Sequence, residues 1–225
     1  MLTTTRAVRR RLDPTREVPE SLIRECVRLA LQAPAGSNVP RTRFVVVRDP
    51  ELRAAVAGIY SEVYLGSYRE SAGYLGRVEA KDPDTQQKTA RSADALERAL
   101  HEVGTIVIAC LDGLRLDGTP ALASASMLGG VLPATWSFML AARARGLGTA
   151  WTTMHLARER EVAEILGIPF DTVQQVCLTP LAYTVGEKFS PAKRPAPDEV
   201  IHWDRWDTGK LAAPPVTGIA LPSSS

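Results

Sequence analysis

The order of apolar and polar positions predicts alternating helices and strands over the first 60 residues. Apolar side chains recur every three to four positions over residues 22–31, which is the spacing of an amphipathic helix. Pro19 stands near the start of this helix and Pro34 follows its end, because proline is tolerated at a helix start but not in the interior. The β-branched run at 44–47 predicts a short buried strand, and a second helix is predicted from about residue 51 to residue 60.

The second half of the chain continues the pattern. Three further buried strands are predicted, at residues 105–111, 149–153 and 176–183. Residues 127–145 form a helix that is apolar on almost every side and that Gly146 ends, and a shorter helix at 157–166 is closed by Gly167. Four strands and about six helices give an α+β sandwich, in which the long connections allow a sheet of mixed direction.

The apolar helix at 127–145 has a consequence for assembly. A helix that is hydrophobic all round is expected to be enclosed, either at the centre of the domain or on a surface shared with a second subunit. A monomer of this size has difficulty covering every face of such a helix. The sequence therefore predicts a homodimer.

Two segments lack this regular pattern. Residues from about 60 to 100 are polar and charged, which predicts a cap-like insertion. Within it Tyr60, Tyr64 and Tyr68 fall on one helical face, either as a packing stripe or as a mobile aromatic cap over a ligand cleft. The last 40 residues, about 185–225, are rich in proline and have little periodicity. They are expected to form an extended arm, with Trp203 and Trp206 as candidate anchors on a partner or on the subunit itself.

Composition narrows the possible functions. The length of 225 residues fits a single domain spanning 1–225. The 27 basic and 25 acidic residues give a net charge of +2, which leaves no surplus for binding along a phosphate backbone, so no nucleic acid partner is expected. Cys26, Cys110 and Cys177 stand far apart in apolar runs, which favours buried thiols in a reducing compartment over a disulfide or a zinc pair.

The sequence contains no run of 18 apolar residues, so no membrane span is expected. The arginine-rich beginning of the chain is followed by Asp13 and Pro14 rather than by a hydrophobic region, which argues against an export signal. A cytoplasmic protein is expected.

The chemistry-bearing residues favour a cofactor over side-chain catalysis. The three histidines are isolated, and neither a nucleophile motif nor a Gly-x-Gly-x-x-Gly loop after a strand is present, so no catalytic residue and no metal site are predicted. Two basic clusters could hold phosphate, since guanidinium groups donate paired hydrogen bonds to it. They are Arg6, Arg9, Arg10 and Arg11 before the first helix, and Lys193-Arg194 in the arm. Taken alone, each cluster is better explained as a solvated charged surface.

In combination these segments resemble the FMN-dependent nitroreductase family. The matching runs, in order, are Thr5-Arg-Ala-Val-Arg-Arg10, a helix ending in Leu-Gln-Ala-Pro-Ala-Gly-Ser-Asn38, Phe44-Val-Val-Val47, the stretch from Trp136 through Gly-Leu-Gly to Trp151, and Lys193-Arg194 before Asp198-Glu-Val200. They extend from about residue 5 to residue 206. The resemblance implies a three-layer sandwich with a mixed, largely antiparallel four-stranded sheet between helices. It also implies a homodimer with two FMN sites at the interface and a C-terminal arm that reaches the partner.

The resemblance also implies which residues contact FMN. The N-terminal stretch would meet the ribityl phosphate and the pyrimidine edge, the Pro-Ser-x-x-Asn loop would lie against the flavin, the segment after Gly-Leu-Gly would supply backbone near N(5), and a late arginine would meet the phosphate. In this chain these positions are Arg6, Ala7, Arg9 and Arg10; Pro34, Ala35, Gly36, Ser37 and Asn38; Trp151, Thr152 and Thr153; and Lys193 and Arg194.

Two positions depart from the family pattern. Ala7 replaces the usual serine of the first motif, and Asn38-Val-Pro-Arg-Thr42 replaces Asn-x-Gln-Pro-Trp. The second change alters substrate or nicotinamide recognition. The predicted activity is NAD(P)H-driven, ping-pong reduction of electron-poor small molecules such as nitroaromatics or quinones. The alternatives are an FMN-binding store or sensor without turnover, and a domain that binds no cofactor.

Overall fold

The computed structural model of the chain describes residues 1–69, 83–186 and 188–210. The strands are β1 (Leu12–Asp13), β2 (Thr42–Val47), β3 (Ile106–Asp112), β4 (Leu147–Thr149) and β5 (Val173–Thr184). The helices are α1 (Glu20–Ala30), α2 (Pro50–Val63), α3 (Pro83–Glu102), α4 (Ala121–Arg143), α5 (Glu159–Leu166) and the single turn α6 (Pro197–Val200). Short 3-10 helices occupy Gly36–Asn38 and Met154–Arg158, and a π-helical segment, Tyr64–Arg69, continues α2.

The sheet is built around β5. Its first half pairs with β3, which pairs in turn with β2, and its second half pairs with β1 and β4. Each of these strand pairs is antiparallel, and a single bridge between Leu114 and Val173 is parallel. The largely antiparallel α+β sheet is therefore confirmed. It has five strands instead of four because β1, with two residues, is too short to produce a hydrophobic pattern.

Helices cover both faces of the sheet, which gives the three layers. Side chains alternate along β3, so that Ile106 and Ile108 pack with α2, α3 and α5, whereas Val107 packs with α1 and α4. Every β3 residue from Ile106 to Leu111 is buried. Because both faces of β3 lie in a core, its sequence is apolar at consecutive positions instead of alternating between apolar and polar.

The apolar helix begins earlier than the sequence pattern indicates. We predicted residues 127–145, whereas α4 starts at Ala121, directly after Pro120. Its first turn is made of small residues without apolar periodicity, which hides the start. By length and composition α4 also qualifies as a membrane span, as the core helix of a folded protein can. One side of it packs against α1 and β4, through Phe138, Met139 and Ala142 among others.

The predicted strand at 149–153 is displaced. The regular strand β4 covers Leu147–Thr149, and Thr152 instead forms an isolated bridge to Leu178 of β5. Gly148 lets β4 lie close to the N-terminal segment. A Cβ at position 148 would lie 2.9 Å from Val8 Cγ1, so the two segments approach more closely than a side chain allows.

The segment predicted as a cap contains core structure as well. Leu96 and Leu100 of α3 are buried against α2. Tyr60 and Tyr64 are also buried and stack with ring centroids 6.3 Å apart, which agrees with the packing stripe. The side chain of Tyr68 and residues 70–82 lie outside the described residues. A cap over a ligand cleft stays a prediction.

The chain after β5 runs over the surface. Apart from α6, residues 188–210 contain no regular helix or strand, and most of their side chains are exposed. Trp203 and Trp206 are both 75% exposed. Residues 211–225 lie outside the described residues, and contact of the arm with a partner stays a prediction.

Candidate functional site

The arginine-rich segment is fixed to the sheet by its apolar residues. Val8 and Leu12 are buried, and the Val8 amide donates a 2.8 Å hydrogen bond to the Thr149 carbonyl. With these two residues held in the core, the arginines between and beside them are kept at the surface. The local sequence thus presents guanidinium groups from a rigid edge of the sheet.

These arginines surround a cavity of about 480 Å³, which we call the arginine cavity. Its lining consists of Arg6, Ala7, Val8, Arg9, Arg10, Arg11, Ser92, Lys188, Phe189 and Ser190. Among these residues five are cationic and none is acidic. A concave site of this charge is suited to an anionic ligand such as a phosphate ester.

Two of the arginines are already engaged with the chain that follows β5. Arg6 Nη1 donates to the Ser190 carbonyl at 2.8 Å, and Arg11 Nη1 donates to the Lys188 carbonyl at 3.1 Å. The guanidinium carbons of Arg11 and Arg143 lie 3.8 and 3.9 Å from the centroid of the Phe189 ring. Part of the arginine cluster therefore holds the beginning of the arm in place.

Arg9 is positioned differently. Its Nε is buried and has no hydrogen-bond partner within the described part of the chain, and its Nη1 lies 3.4 Å from Ser92 Oγ. A separation of 3.4 Å is long for an N–H···O bond. Arg9 thus brings a buried cationic donor to the cavity with its hydrogen-bonding capacity largely unused.

The predicted flavin loop forms a second part of the site. Gly36–Asn38 is a 3-10 turn, and Asn38 adopts φ of 57°, a left-handed conformation that asparagine tolerates better than most residues. A Cβ on Gly36 would lie 3.1 Å from the Ser126 carbonyl of α4, so the loop sits close against that helix. Together with Ala35, Gly36 lines a small cavity of about 20 Å³ beside Ser126 and Gly130, separate from the arginine cavity. The side chain of Ser37 lies outside the described residues.

The third predicted segment is held by β5. The Thr152 amide and carbonyl exchange hydrogen bonds of 3.0 and 2.9 Å with Leu178, and Thr152 Oγ1 lies 3.5 Å from the Tyr60 hydroxyl. Trp151 is half-buried and Thr153 is exposed. This segment leads to His155, which is fully buried. Burial lowers the pKa of His155 to about 3.

The late basic pair is not brought to the arginine cavity within one subunit. Lys193 and Arg194 are exposed, and Arg194 Nη1 donates to the carbonyl of Lys193 itself at 3.3 Å. Lys188 and Ser190 line the cavity in their place, together with Ser92 of α3. Sequence reasoning missed these three. Lys188 had a signal, since it is a basic residue two positions after Gly186, whereas Ser92 had none.

The departure at Asn38–Thr42 has a structural explanation. Arg41 Nη1 donates to the Asp112 carbonyl at 3.2 Å, and Arg43 Nη2 pairs with the Asp112 carboxylate at 2.8 Å. Both arginines therefore join β2 to the end of β3.

Within the described ranges, no group of three or more His, Cys, Asp or Glu side chains is arranged to hold a metal ion.

Comparison with known proteins identifies the family. The family model described as "Nitroreductase family" matches residues 2–186. The chain belongs to the nitroreductase family. This confirms the resemblance seen in the sequence and makes the protein a member of an oxidoreductase family. No curated protein matches the sequence.

Solved structures share the nitroreductase fold at low identity. An iodotyrosine deiodinase bound to FMN and 3-iodo-L-tyrosine is 16% identical, with a TM-score of 0.64 over 90% of this chain and 96% of that one. A protein described as "Putative NADH dehydrogenase/NAD(P)H nitroreductase" from Bacteroides thetaiotaomicron is 20% identical, with a TM-score of 0.60 over 91% of this chain and 95% of that one. A BluB-like flavoprotein from Clostridium difficile is 17% identical, with a TM-score of 0.63 over 89% and 95%.

Proposed function

We propose that this protein is an FMN-dependent oxidoreductase that uses NAD(P)H to reduce electron-poor organic molecules, such as nitroaromatics or quinones, in a ping-pong cycle. The observation that carries the proposal is the arginine cavity, which four arginines of the N-terminal segment and Lys188 surround in a chain of the nitroreductase family. The Nε of Arg9, buried and without a partner among the described residues, is the kind of group that a bound anion would satisfy. The residues present therefore fit FMN.

Bound FMN would supply the hydride chemistry, which side chains alone do not provide. The protein's own contribution is to bind and orient. Arg6, Arg9 and Arg10 provide positive charge for the phosphate and for the pyrimidine edge, and a guanidinium near that edge stabilises negative charge that develops there. The Thr152 amide and carbonyl are both engaged by Leu178, so Thr152 fixes the course of this segment and its own backbone groups would not bind the ring. No side-chain base is required.

We further propose that the protein is a homodimer with its FMN sites at the interface. Leu122 of α4 is 86% exposed and Trp136 is 42% exposed, on a helix that is otherwise apolar. A helix face of this kind is covered when a second subunit packs on it. The flavin loop lies against Ser126 and Gly130 of the same helix, so the loop and this apolar face are adjacent.

The division of the predicted site residues supports the same assembly. In one subunit the arginine cavity and the loop cavity are separate, and Lys193 and Arg194 line neither. A second copy would complete the site if its loop or its basic pair met the arginine cavity of the first. The exposed indoles of Trp203 and Trp206 are then available to bind the partner. A monomeric mass by light scattering at micromolar concentration would overturn the dimer.

Steady-state kinetics tests the activity. For a ping-pong cycle, double-reciprocal plots at several acceptor concentrations should be parallel, with a quinone and a nitroaromatic as trial acceptors and NADH or NADPH as donor. Intersecting lines would show that donor and acceptor occupy the protein together and would contradict the shared site.

The buried free thiols of Cys26, Cys110 and Cys177 are consistent with a cytoplasmic location.

A second candidate is an FMN store or sensor without turnover. The observation that favours it is the altered loop, in which Asp112 holds Arg41 and Arg43 and the family's amide and indole are absent. Such a protein would bind FMN but would oxidise neither NADH nor NADPH. Nicotinamide oxidation that depends on added FMN and acceptor would exclude it.

A further inference from the structure

Ser92 is the one residue of α3 that lines the arginine cavity within the described chain. It lies 83 positions after Arg9 in the sequence, and its Oγ approaches Arg9 Nη1 to 3.4 Å. The other residues of the cavity come from the N-terminal segment and from the chain after β5. Ser92 is therefore the point at which a helix of the segment predicted as a cap touches the predicted cofactor site.

The opposite side of α3 is fastened independently. The Tyr64 hydroxyl donates to Asp94 at 2.9 Å, and the Ser61 hydroxyl donates to Glu97 at 2.6 Å. Residues 94 and 97 share a helical face, whereas residue 92 is about 200° from residue 94 around the helix axis. These contacts with α2 and its π-helical continuation, together with burial of Leu100, hold α3 in place. Removing the Ser92 hydroxyl should therefore leave the helix where it is.

The Arg9 guanidinium keeps hydrogen-bond donors that a positioning contact would direct toward a ligand. Arg6 and Arg11 each donate to a backbone carbonyl at 2.8 and 3.1 Å, which uses part of their hydrogen-bonding capacity. The Arg9 contact with Ser92 is longer, and the neighbouring Nε is buried without a partner among the described residues. The Ser92 hydroxyl thus limits where the guanidinium can turn while it accepts only from Nη1.

We propose that Ser92 is a positioning residue that holds the Arg9 guanidinium toward a hydrogen-bond acceptor of the bound flavin. This inference rests on the proposed FMN function and extends it to a residue that lies outside the family's N-terminal motif. The acceptor is either the anionic phosphate of FMN or the carbonyl oxygens on the pyrimidine side of the ring system. The two sources are distinguished by comparing FMN with riboflavin, which lacks the phosphate.

The test is a double-mutant cycle on flavin affinity, measured by quenching of flavin fluorescence. Relative to the wild type, Ser92→Ala should raise the Kd for FMN about fivefold, as expected for one modest hydrogen bond to a charged group. Ser92→Thr keeps the hydroxyl and should bind nearly as the wild type does. In an Arg9→Ala background, Ser92→Ala should cause no further loss, because Ser92 acts through Arg9.

Ser61→Ala is the matched control, since it removes a serine contact of α3 on the side away from the cavity. It should leave the Kd for FMN unchanged. A loss confined to FMN assigns Arg9 to the phosphate, and an equal loss for riboflavin assigns it to the ring system. The proposal is overturned if Ser92→Ala binds FMN normally, if its effect persists in the Arg9→Ala background, or if Ser61→Ala loses as much.

The failure of this inference is distinguishable from that of the proposed function. A wild-type chain that binds no FMN would overturn both. A wild type that binds FMN tightly, beside a Ser92→Ala variant with the same Kd, would overturn the role of Ser92 alone. Thermal melting of each variant without flavin shows whether a change in Kd reflects the site or a loss of folded protein.

Discussion

Acid should destabilise this protein through His155. The side chain is 0% exposed, and neither ring nitrogen has a hydrogen-bond partner within the described part of the chain. An imidazolium at this position would lose its hydration without gaining a counter-charge, so burial lowers the pKa of His155 to about 3. In the folded protein the ring is therefore neutral at any pH near neutrality.

The size of the effect follows from the two pKa values. The unfolded chain binds a proton on this ring below about pH 6.5, whereas the folded chain resists protonation down to about pH 3. The contribution to stability is thus fully present above pH 6.5 and is lost as the pH falls toward 3. At about 1.4 kcal/mol per pH unit, lowering the pH from 7 to 5 should cost about 2 kcal/mol through this residue.

Urea unfolding at pH 7, 6 and 5 measures this contribution. His155→Leu has a similar volume and no titrating group, so the variant should lose about 2 kcal/mol less than the wild type between pH 7 and pH 5. His101→Gln is a matched control at an exposed histidine and should follow the wild type. Parallel stability curves for the wild type and His155→Leu would refute the reasoning, because the buried ring would then not be linked to folding.

Three other changes test the packing and the assembly. Gly148→Ala places a methyl group 2.9 Å from Val8 Cγ1 and should cost about 1–3 kcal/mol, measured as a lower urea midpoint; an unchanged midpoint would contradict the close approach. Arg115→Ala leaves the Glu159 carboxylate without its ion pair, with side chains only 18% and 10% exposed, and should cost about 3 kcal/mol in urea unfolding; a loss within measurement error would show that the pair is not needed. Trp136→Glu places a charge on the exposed apolar face of α4 and should halve the mass seen by light scattering, whereas an intact dimer would exclude this face from the interface.

The regular elements were predictable because their signals are local. The β-branched run at 44–47 lies within β2, although Val46 is exposed and only Val47 of the run is buried. The helical spacing at 22–31 corresponds to α1, which ends at Ala30. A left-handed Gly167 with φ of 65° closes α5 as expected. The two-residue strand β1 could not be seen, since only its pairing with Tyr183 and Thr184 in β5 defines it.

The arginine cluster of the candidate site was predictable because it is local in the sequence. Arg6, Arg9 and Arg10 are adjacent in sequence, so the cluster was visible before the fold was known, and the structure places it around one cavity. Ser92 reaches that cavity through tertiary packing of α3 across 83 residues, and no local pattern marks it. Lys193 and Arg194 do not line the cavity in the chain, and their contact with it in a dimer stays a proposal.

The central claim is that the chain binds FMN and passes it electrons from a nicotinamide. The most direct measurement is the visible absorbance of purified protein that has been incubated with FMN, desalted, and mixed with NADH or NADPH without oxygen. We expect the protein to retain the flavin spectrum and its visible absorbance to bleach with at least one of the two donors. Loss of all flavin on desalting would contradict cofactor binding, and retained flavin that both donors leave oxidised would contradict the reductase and favour the FMN store.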